Sequence, residues 1–355
     1  MTLNLAEGLL ERGVKVDLIL VQADGPLTSE IPAGCRVFDL DAGHASRSLF
    51  KLAIYLKNEK PGVLVSSQTH LNVVAVLARL LQGRKIRLIL REHVTIESVA
   101  QNALRLPDKV LPMLASLFYR LADKIILVSK DTAEHFQKAT NLPENKIKVI
   151  YNPVVSRKMI EQSHTPPGHD WFDRPNSTLL LSAGRLTAQK DFATLLRAFS
   201  LVRTSLPSVK LIILGEGEER SKLEQLSREL KIEKDVQLPG YVLNPFTYMA
   251  HADLFVLSSR WEGFANVLVE AMACGTPVVS TDCPSGPAEI LQNGKYGELV
   301  PVNNPSALAE AIKVELASPH DRRLLIQRAN EFSVENSLTQ YINAFFPDWD
   351  NSTCE

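Results

Sequence analysis

Short apolar runs alternate with stretches of 3.6-residue periodicity along almost the whole chain, a pattern that predicts strands and helices in strict succession. Leu3–Arg12 is expected to close an amphipathic helix stopped at Gly13, and Val14–Val21 to form a strand with Val16, Leu18 and Leu20 on one side. Strands follow over Arg36–Leu40, Val63–Ser66, Ile86–Arg91, Lys124–Val128 and Ile147–Ile150. Helices are expected over Ser48–Lys57, Asn72–Leu81, Leu111–Leu121 and Asp131–Ala139, the last capped by Ser129. Asn152-Pro153 breaks the series, and residues 153–175 carry His, Pro, Gly and Asp with little periodicity, as a linker would. The alternation then restarts, with strands at Thr178–Ala183, Lys210–Gly215, Val236–Leu238, Leu254–Ser258 and Pro277–Ser280. Between and after them, helices are expected over Phe192–Ser205, Glu218–Leu230, Asn266–Ala273, Ala307–Ala317 and Asp321–Asn330, and a last amphipathic segment over Val334–Phe346.

Short buried strands separated by helices imply parallel sheets covered on both faces. The expected fold is α/β, with two Rossmann-like, doubly wound domains over residues 1–152 and 176–332, followed by a C-terminal segment, 333–355. Ligands of such sheets sit at the carboxyl ends of the strands, so the two facing edges define the expected site. Met1 lies within or just before the helix that normally follows a first strand and its glycine-rich turn. The first sheet is therefore expected to lack a strand at its centre, or the chain to start downstream of it.

Composition narrows the class. The 355 residues are 45% hydrophobic and 22% charged with a net charge of −1, so the total carries no signature of nucleic-acid binding. Residues 1–150 hold 20 Lys and Arg against 15 Asp and Glu, whereas the remainder hold 19 against 25. A basic first half suits an anionic acceptor or membrane surface, and uneven solvated faces explain it equally well. The four cysteines, Cys35, Cys274, Cys283 and Cys354, show no metal spacing, and a reduced cytoplasmic protein is expected. No apolar run reaches the roughly 18–20 residues that span a bilayer. The apolar helix expected at Leu111–Leu121, flanked by Lys109, Arg120 and Lys124, is read as buried, with peripheral contact to the inner membrane as the other reading.

The strongest chemical signal is the run from Trp261 to Val279, in which Glu262 and Glu270 are separated by seven residues around the start of a helix. Backbone N–H groups near Gly263, Phe264, Asn266 and Val267 would offer an anion site there. A carboxylate at Glu270 can accept two hydrogen bonds from a vicinal diol such as a ribose. A second signal is Gly184-Arg185-Leu186-Thr187-Ala188-Gln189-Lys190-Asp191, where Gly184 lets backbone approach closely and Arg185 and Lys190 place two cations at a strand end, suited to a diphosphate. Weaker candidates are the turn Gly215-Glu216-Gly217, the segment Gly240-Tyr241-Val242, and Arg91-Glu92-His93 and Thr69-His70 at strand ends of the first domain.

These elements resemble the large retaining glycosyltransferase family called family 4, or group 1, of GT-B fold. Its E-x7-E pattern is matched by Glu262 and Glu270, and its G-R-L-x-x-x-K-D element by Gly184 to Asp191. The resemblance implies a sugar transfer with retention of configuration from a nucleotide-sugar donor, UDP by family frequency, to a saccharide or lipid-linked acceptor, in a setting such as bacterial polysaccharide assembly. It implies that Glu262 orients the sugar, Glu270 holds the ribose, and Arg185 and Lys190 neutralise the leaving diphosphate. No metal or other cofactor is then expected. It further places Gly215, Glu216 and Val242 beside the nucleotide, His93 near the transferred sugar, and His70 and Arg91 on the acceptor side. Asn152 becomes a structural hinge, and Val334–Phe346 is expected to cross back onto the first domain. A nucleotide-sugar-binding protein without turnover and a sugar-nucleotide epimerase of the same fold are the alternatives. The latter would need further acid/base groups.

Overall fold

A computed structural model describes residues 1–24, 28–83, 85–93, 117–172 and 178–347. The chain divides into two units, one made of Met1–Pro153 together with the residues from Val334 onward, the other of Val154–Ser333.

The first unit opens with α1 (Thr2–Glu11), the parallel pair β1 (Asp17–Leu20) and β2 (Arg36–Asp39), and α2 (Ser48–Glu59). It continues through β3 (Val63–Ser67), α3 (Thr69–Gln82), β4 (Arg87–Glu92), β5 (Lys124–Leu127), α4 (Lys130–Thr140) and β6 (Ile147–Val149). Strands β3 to β6 pair in parallel in that order, and among the described residues β1 and β2 stand as a separate sheet. Strand β3 accordingly forms a sheet edge, with Val65 37% exposed. Period-2 alternation splits β4 between two cores. Leu88 and Leu90 pack with Leu56, Val76 and Phe136, whereas Ile89 packs with Ile126 and Ile150 on the other face. Ser129 caps α4 by accepting from the Thr132 amide, as its position before the helix predicts. Most of the helix expected at Leu111–Leu121 lies outside the described residues.

The second unit starts inside the segment expected to be a linker, and this is a correction. Arg157–Ser163 forms α5, because Ser156 caps it through the Met159 amide and Met159 is buried. The sheet follows as β7 (Leu179–Ala183), α6 (Phe192–Ser205), β8 (Lys210–Leu214), α7 (Arg220–Glu229) and β9 (Val236–Gly240). Next come α8 (Pro245–His251), β10 (Leu254–Leu257), α9 (Asn266–Ala273), β11 (Val278–Thr281), α10 (Pro287–Ile290), β12 (Glu298–Val300), α11 (Pro305–Ala317) and α12 (Arg322–Asn330). All six strands are parallel in the order β12-β11-β10-β7-β8-β9. Strands β8 and β9 extend the sheet to one side of β7, and β10 to β12 extend it to the other. The switch point therefore lies between β7 and β10, where ligands of such sheets bind. Leu180, Leu211, Ile213, Leu254 and Val256 bury one face of this sheet against Leu195, Phe199 and Ile312.

The last helix, α13 (Val334–Phe345), belongs to the first unit. Its Leu338, Tyr341, Ile342 and Phe345 are buried with Leu5, Leu9 and Ile89. The fit is close at α1, where a Cβ on Gly8 would meet Leu338 Cδ2 at 2.8 Å. Among the described residues no helix is long and apolar enough to cross a membrane. Truncating this contact by Leu338→Ala is expected to destabilise the first unit by about 2–5 kcal/mol, read as a lower urea midpoint. An unchanged midpoint would show that α13 contributes no packing energy there.

Candidate functional site

In the second unit the chemistry collects at the carboxyl ends of β7 and β10. The strands β7 and β8 are followed by Gly184 and Gly215, whose amides donate to Leu214 O and Gly240 O at 2.9 and 2.8 Å. A Cβ on Gly215 would lie 2.0 Å from the Gly184 carbonyl oxygen, so only glycine allows the two turns to approach this closely. At Gly184 a Cβ would come within 3.0 Å of Lys190 Cε, so the bare backbone also leaves room for the lysine stem.

Lys190 Nζ reaches across from the β7 loop to the β10 loop and pairs with Glu262 Oε1 at 2.5 Å. The same oxygen accepts from Ser259 Oγ at 2.7 Å. Side-chain exposures of 16% for Lys190 and 9% for Glu262 make this a largely desolvated pair. The two loops are stitched together around it. Arg260 N donates to Gln189 O and Gln189 Nε2 to Trp261 O, at 2.8 and 2.9 Å. Asp191 caps α6 by accepting from Thr194 and holds Arg260 Nε at 3.0 Å. Arg185 is exposed and makes no ion pair among the described residues.

Helix α9 begins just beyond Glu262 without a side-chain cap, and carries Asn266, Val267 and, one turn on, Glu270. Burial pushes the Glu270 carboxyl up to about 7, against the pull of Lys190. Gly263 and Phe264 are buried in the turn before the helix. Glu216 is held by Arg220 Nη1 at 2.6 Å, and its Oε1 lies 2.8 Å from where a Cβ of Gly240 would stand. Val242 is partly exposed just past the end of β9. Glu262, Lys190 and Gly184 thus share one constellation, with Glu216 and Gly215 on the adjoining strand end.

In the first unit His93 follows β4, partly buried. Burial, and then the charge of Arg91, push it down to about 4, so it is a neutral imidazole at neutral pH. His70 is exposed on the first turn of α3, not in a loop after β3. Arg91, expected on the acceptor side, is a correction. It is 1% exposed, with its guanidinium 5.1 Å from the Tyr341 ring centroid and Nη2 3.4 Å from Asn152 Oδ1. Alternation along β4 turns it to the face covered by α13, where its role is structural. Sequence reasoning names Glu92 only within the Arg91–His93 run and gives it no role; the same alternation sends it to the opposite, α3 face. That reasoning missed Ser259 and the Asp191–Arg260 clamp, which join positions far apart in the chain.

Because the folded state raises Glu270 above its unfolded value of about 4.5, its effect on stability is favourable below that pH and is lost as pH rises through about 7. Glu270→Gln is therefore expected to gain about 1–3 kcal/mol on wild type between pH 5 and pH 8, measured by urea unfolding. Parallel pH profiles for the two proteins would show that Glu270 is not desolvated.

The family model for glycosyl transferases group 1 matches residues 170–332, and that for glycosyltransferase family 4 matches residues 1–157. The chain is 33% identical over 262 residues to the N-acetylgalactosamine-N,N'-diacetylbacillosaminyl-diphospho-undecaprenol 4-alpha-N-acetylgalactosaminyltransferase of Campylobacter jejuni, covering 73% of this chain and 68% of that protein. It is 32% identical to an uncharacterized glycosyltransferase of Methanocaldococcus jannaschii, over 82% of this chain and 81% of that one. Among solved structures, HepE of Anabaena in complex with UDP-glucose superposes with a TM-score of 0.80 at 21% identity, over 97% of this chain and 94% of that one. With two Rossmann-like units and the E-x7-E and G-R-L-x-x-x-K-D elements in place, the chain belongs to the family 4, group 1 glycosyltransferases of GT-B fold.

Proposed function

We propose that this glycosyltransferase takes a sugar from a UDP-sugar and transfers it, with retention of configuration, to a lipid-linked or saccharide acceptor in bacterial glycan assembly. The observation that carries the reading is the Lys190–Glu262 pair at the β7/β10 switch point, with Arg185 exposed beside it and Glu270 on the helix that follows. A diphosphate arriving there takes Lys190 and Arg185 as its counter-charges and releases Glu262 to bind sugar hydroxyls. Glu270 accepts from the ribose diol, and the start of α9 supplies the positive end of a helix dipole. Support for UDP comes from the HepE complex, and support for a lipid-linked acceptor from the name of the Campylobacter relative.

In the chemical step the acceptor hydroxyl attacks the anomeric carbon from the face the diphosphate leaves, through an oxocarbenium-like state. The departing phosphate oxygen takes the hydroxyl proton. The protein contributes position and charge, and two cations at the leaving group let the reaction run without a metal. His93, held neutral, is assigned to hydrogen-bond a hydroxyl of the transferred sugar, and His70 to the acceptor side.

Calorimetric titration with UDP, GDP, ADP and NAD tests the donor class. UDP alone is expected to bind, and Glu270→Ala to weaken it at least tenfold. Unchanged UDP affinity in that variant removes the ribose assignment, and equal binding of all four nucleotides removes the donor class. In turnover assays Lys190→Ala is expected to lower kcat by about 10²–10³ with a smaller change in UDP affinity, because its charge acts most strongly on the developing diphosphate. A loss confined to KM would make Lys190 a ground-state binding residue.

A further inference from the structure

The carboxyl end of β4 carries a polar cluster for which donor binding has no use. Glu92 is 1% exposed, and its carboxylate gathers donors from three places in the first unit. Thr69 Oγ1, the first residue of α3, donates to Oε2 at 3.1 Å, and Asn72 Nδ2, one turn on, donates to Oε1 at 2.8 Å. The Tyr119 hydroxyl donates to the same Oε1. Asn72 Nδ2 also reaches the Arg91 carbonyl at 3.0 Å, so the backbone just before Glu92 is tied into the same knot. All of these groups are buried.

Buried carboxylates ordinarily have a cation, and this one has none among the described residues. The groups on neighbouring elements are accounted for. The strand partners flanking this end of β4 are Ser67 and Leu127, which carry no charge. Arg91 lies on the opposite face with Tyr341, and His93 and His70 are the adjoining residues of β4 and α3. Tyr119 is the one titratable group in contact with the carboxyl among the described residues. An apolar residue at this buried position would carry no desolvation penalty, so a structural role alone does not require an acid. A carboxylate, in contrast, collects three donors at once and fixes the elements that bring them.

We propose that Glu92 is a positioning residue, whose carboxylate locks the β4 exit bearing His93 to the first turn of α3 bearing His70. The inference rests on the roles assigned to those histidines. Protonation undoes the lock. One oxygen turns from acceptor to donor, and the Asn72 carboxamide oxygen, buried and without a hydrogen-bond partner among the described residues, is the acceptor at hand. Asn72 then turns its amide, and the Arg91 carbonyl loses its donor. Burial pushes Glu92 up to about 7, within reach of neutral pH, although the three donors pull it down. Acidification through that range is expected to loosen both histidines together.

The test is a histidine ring NMR titration of the full chain, with His93 and His70 assigned by His93→Gln and His70→Gln. Wild type is expected to show His93 with its own inflection near pH 4 and a second one near pH 7. In Glu92→Gln the second inflection is expected to vanish from His93, with the melting temperature at pH 7.5 kept within about 5 °C, and Glu92→Asp to restore it. Should Glu92→Gln not fold, Tyr119→Phe and Thr69→Val each remove one donor and are expected to shift that second His93 inflection to higher pH. Histidine signals that titrate alike in wild type and in a folded Glu92 variant, or an inflection unmoved by both donor deletions, overturn the proposal. Because UDP binding is measured separately on the second unit, failure here leaves the donor assignment standing, and failure there leaves the lock standing.

Discussion

The constellation at the β7/β10 switch point depends on a salt bridge between two residues that the proposed donor complex would draw apart. Lys190 and Glu262 approach from the loops after β7 and β10, on either side of the switch point, and neutralise one another in a largely desolvated pocket. Desolvation favours keeping the two charges paired while no ligand offers them other partners. In the proposed function the pair holds two opposite charges for a ligand that brings its own phosphates and hydroxyls. The surrounding frame keeps the geometry while that exchange takes place. Ser259 holds Glu262, Gln189 joins Trp261, and Asp191 clamps Arg260.

A pattern of perturbed acids and bases follows the strand ends. Glu270, Glu92 and His93 all sit at or just past carboxyl termini of strands or on the helices that follow, and burial drives each toward its neutral form. Groups of this kind cluster where a site demands them, because the fold gains nothing from burying them for stability. The first unit's lack of a central strand among the described residues does not disturb its exit at β4, whose neighbours β3 and β5 are both paired.

Much of this was legible in the sequence because the informative elements are local. Gly184 to Lys190 and Glu262 to Glu270 are contiguous runs, and strict alternation of apolar strands and helices carries the α/β fold. What escaped the sequence is contact between distant segments. The Lys190–Glu262 bond links residues 72 apart, and the Tyr119–Glu92 bond residues 27 apart. Arg91 was placed on the wrong side because a strand end points two ways, and only the packing of Tyr341 shows which residue faces which core. Helix α5 was hidden among the Pro and His residues of its neighbourhood, where Ser156 and Met159 were the available signals. Helix α8, helix α10 and strand β12 are too short, at seven, four and three residues, for periodicity to register.

The most direct test of the central claim is a crystal structure of the chain with UDP bound. The account predicts that Lys190 Nζ leaves Glu262 for a phosphate oxygen, that Glu262 becomes open to solvent or sugar, and that Glu270 accepts from both ribose hydroxyls. UDP bound with the Lys190–Glu262 bond intact and Glu270 remote from the ribose would contradict it.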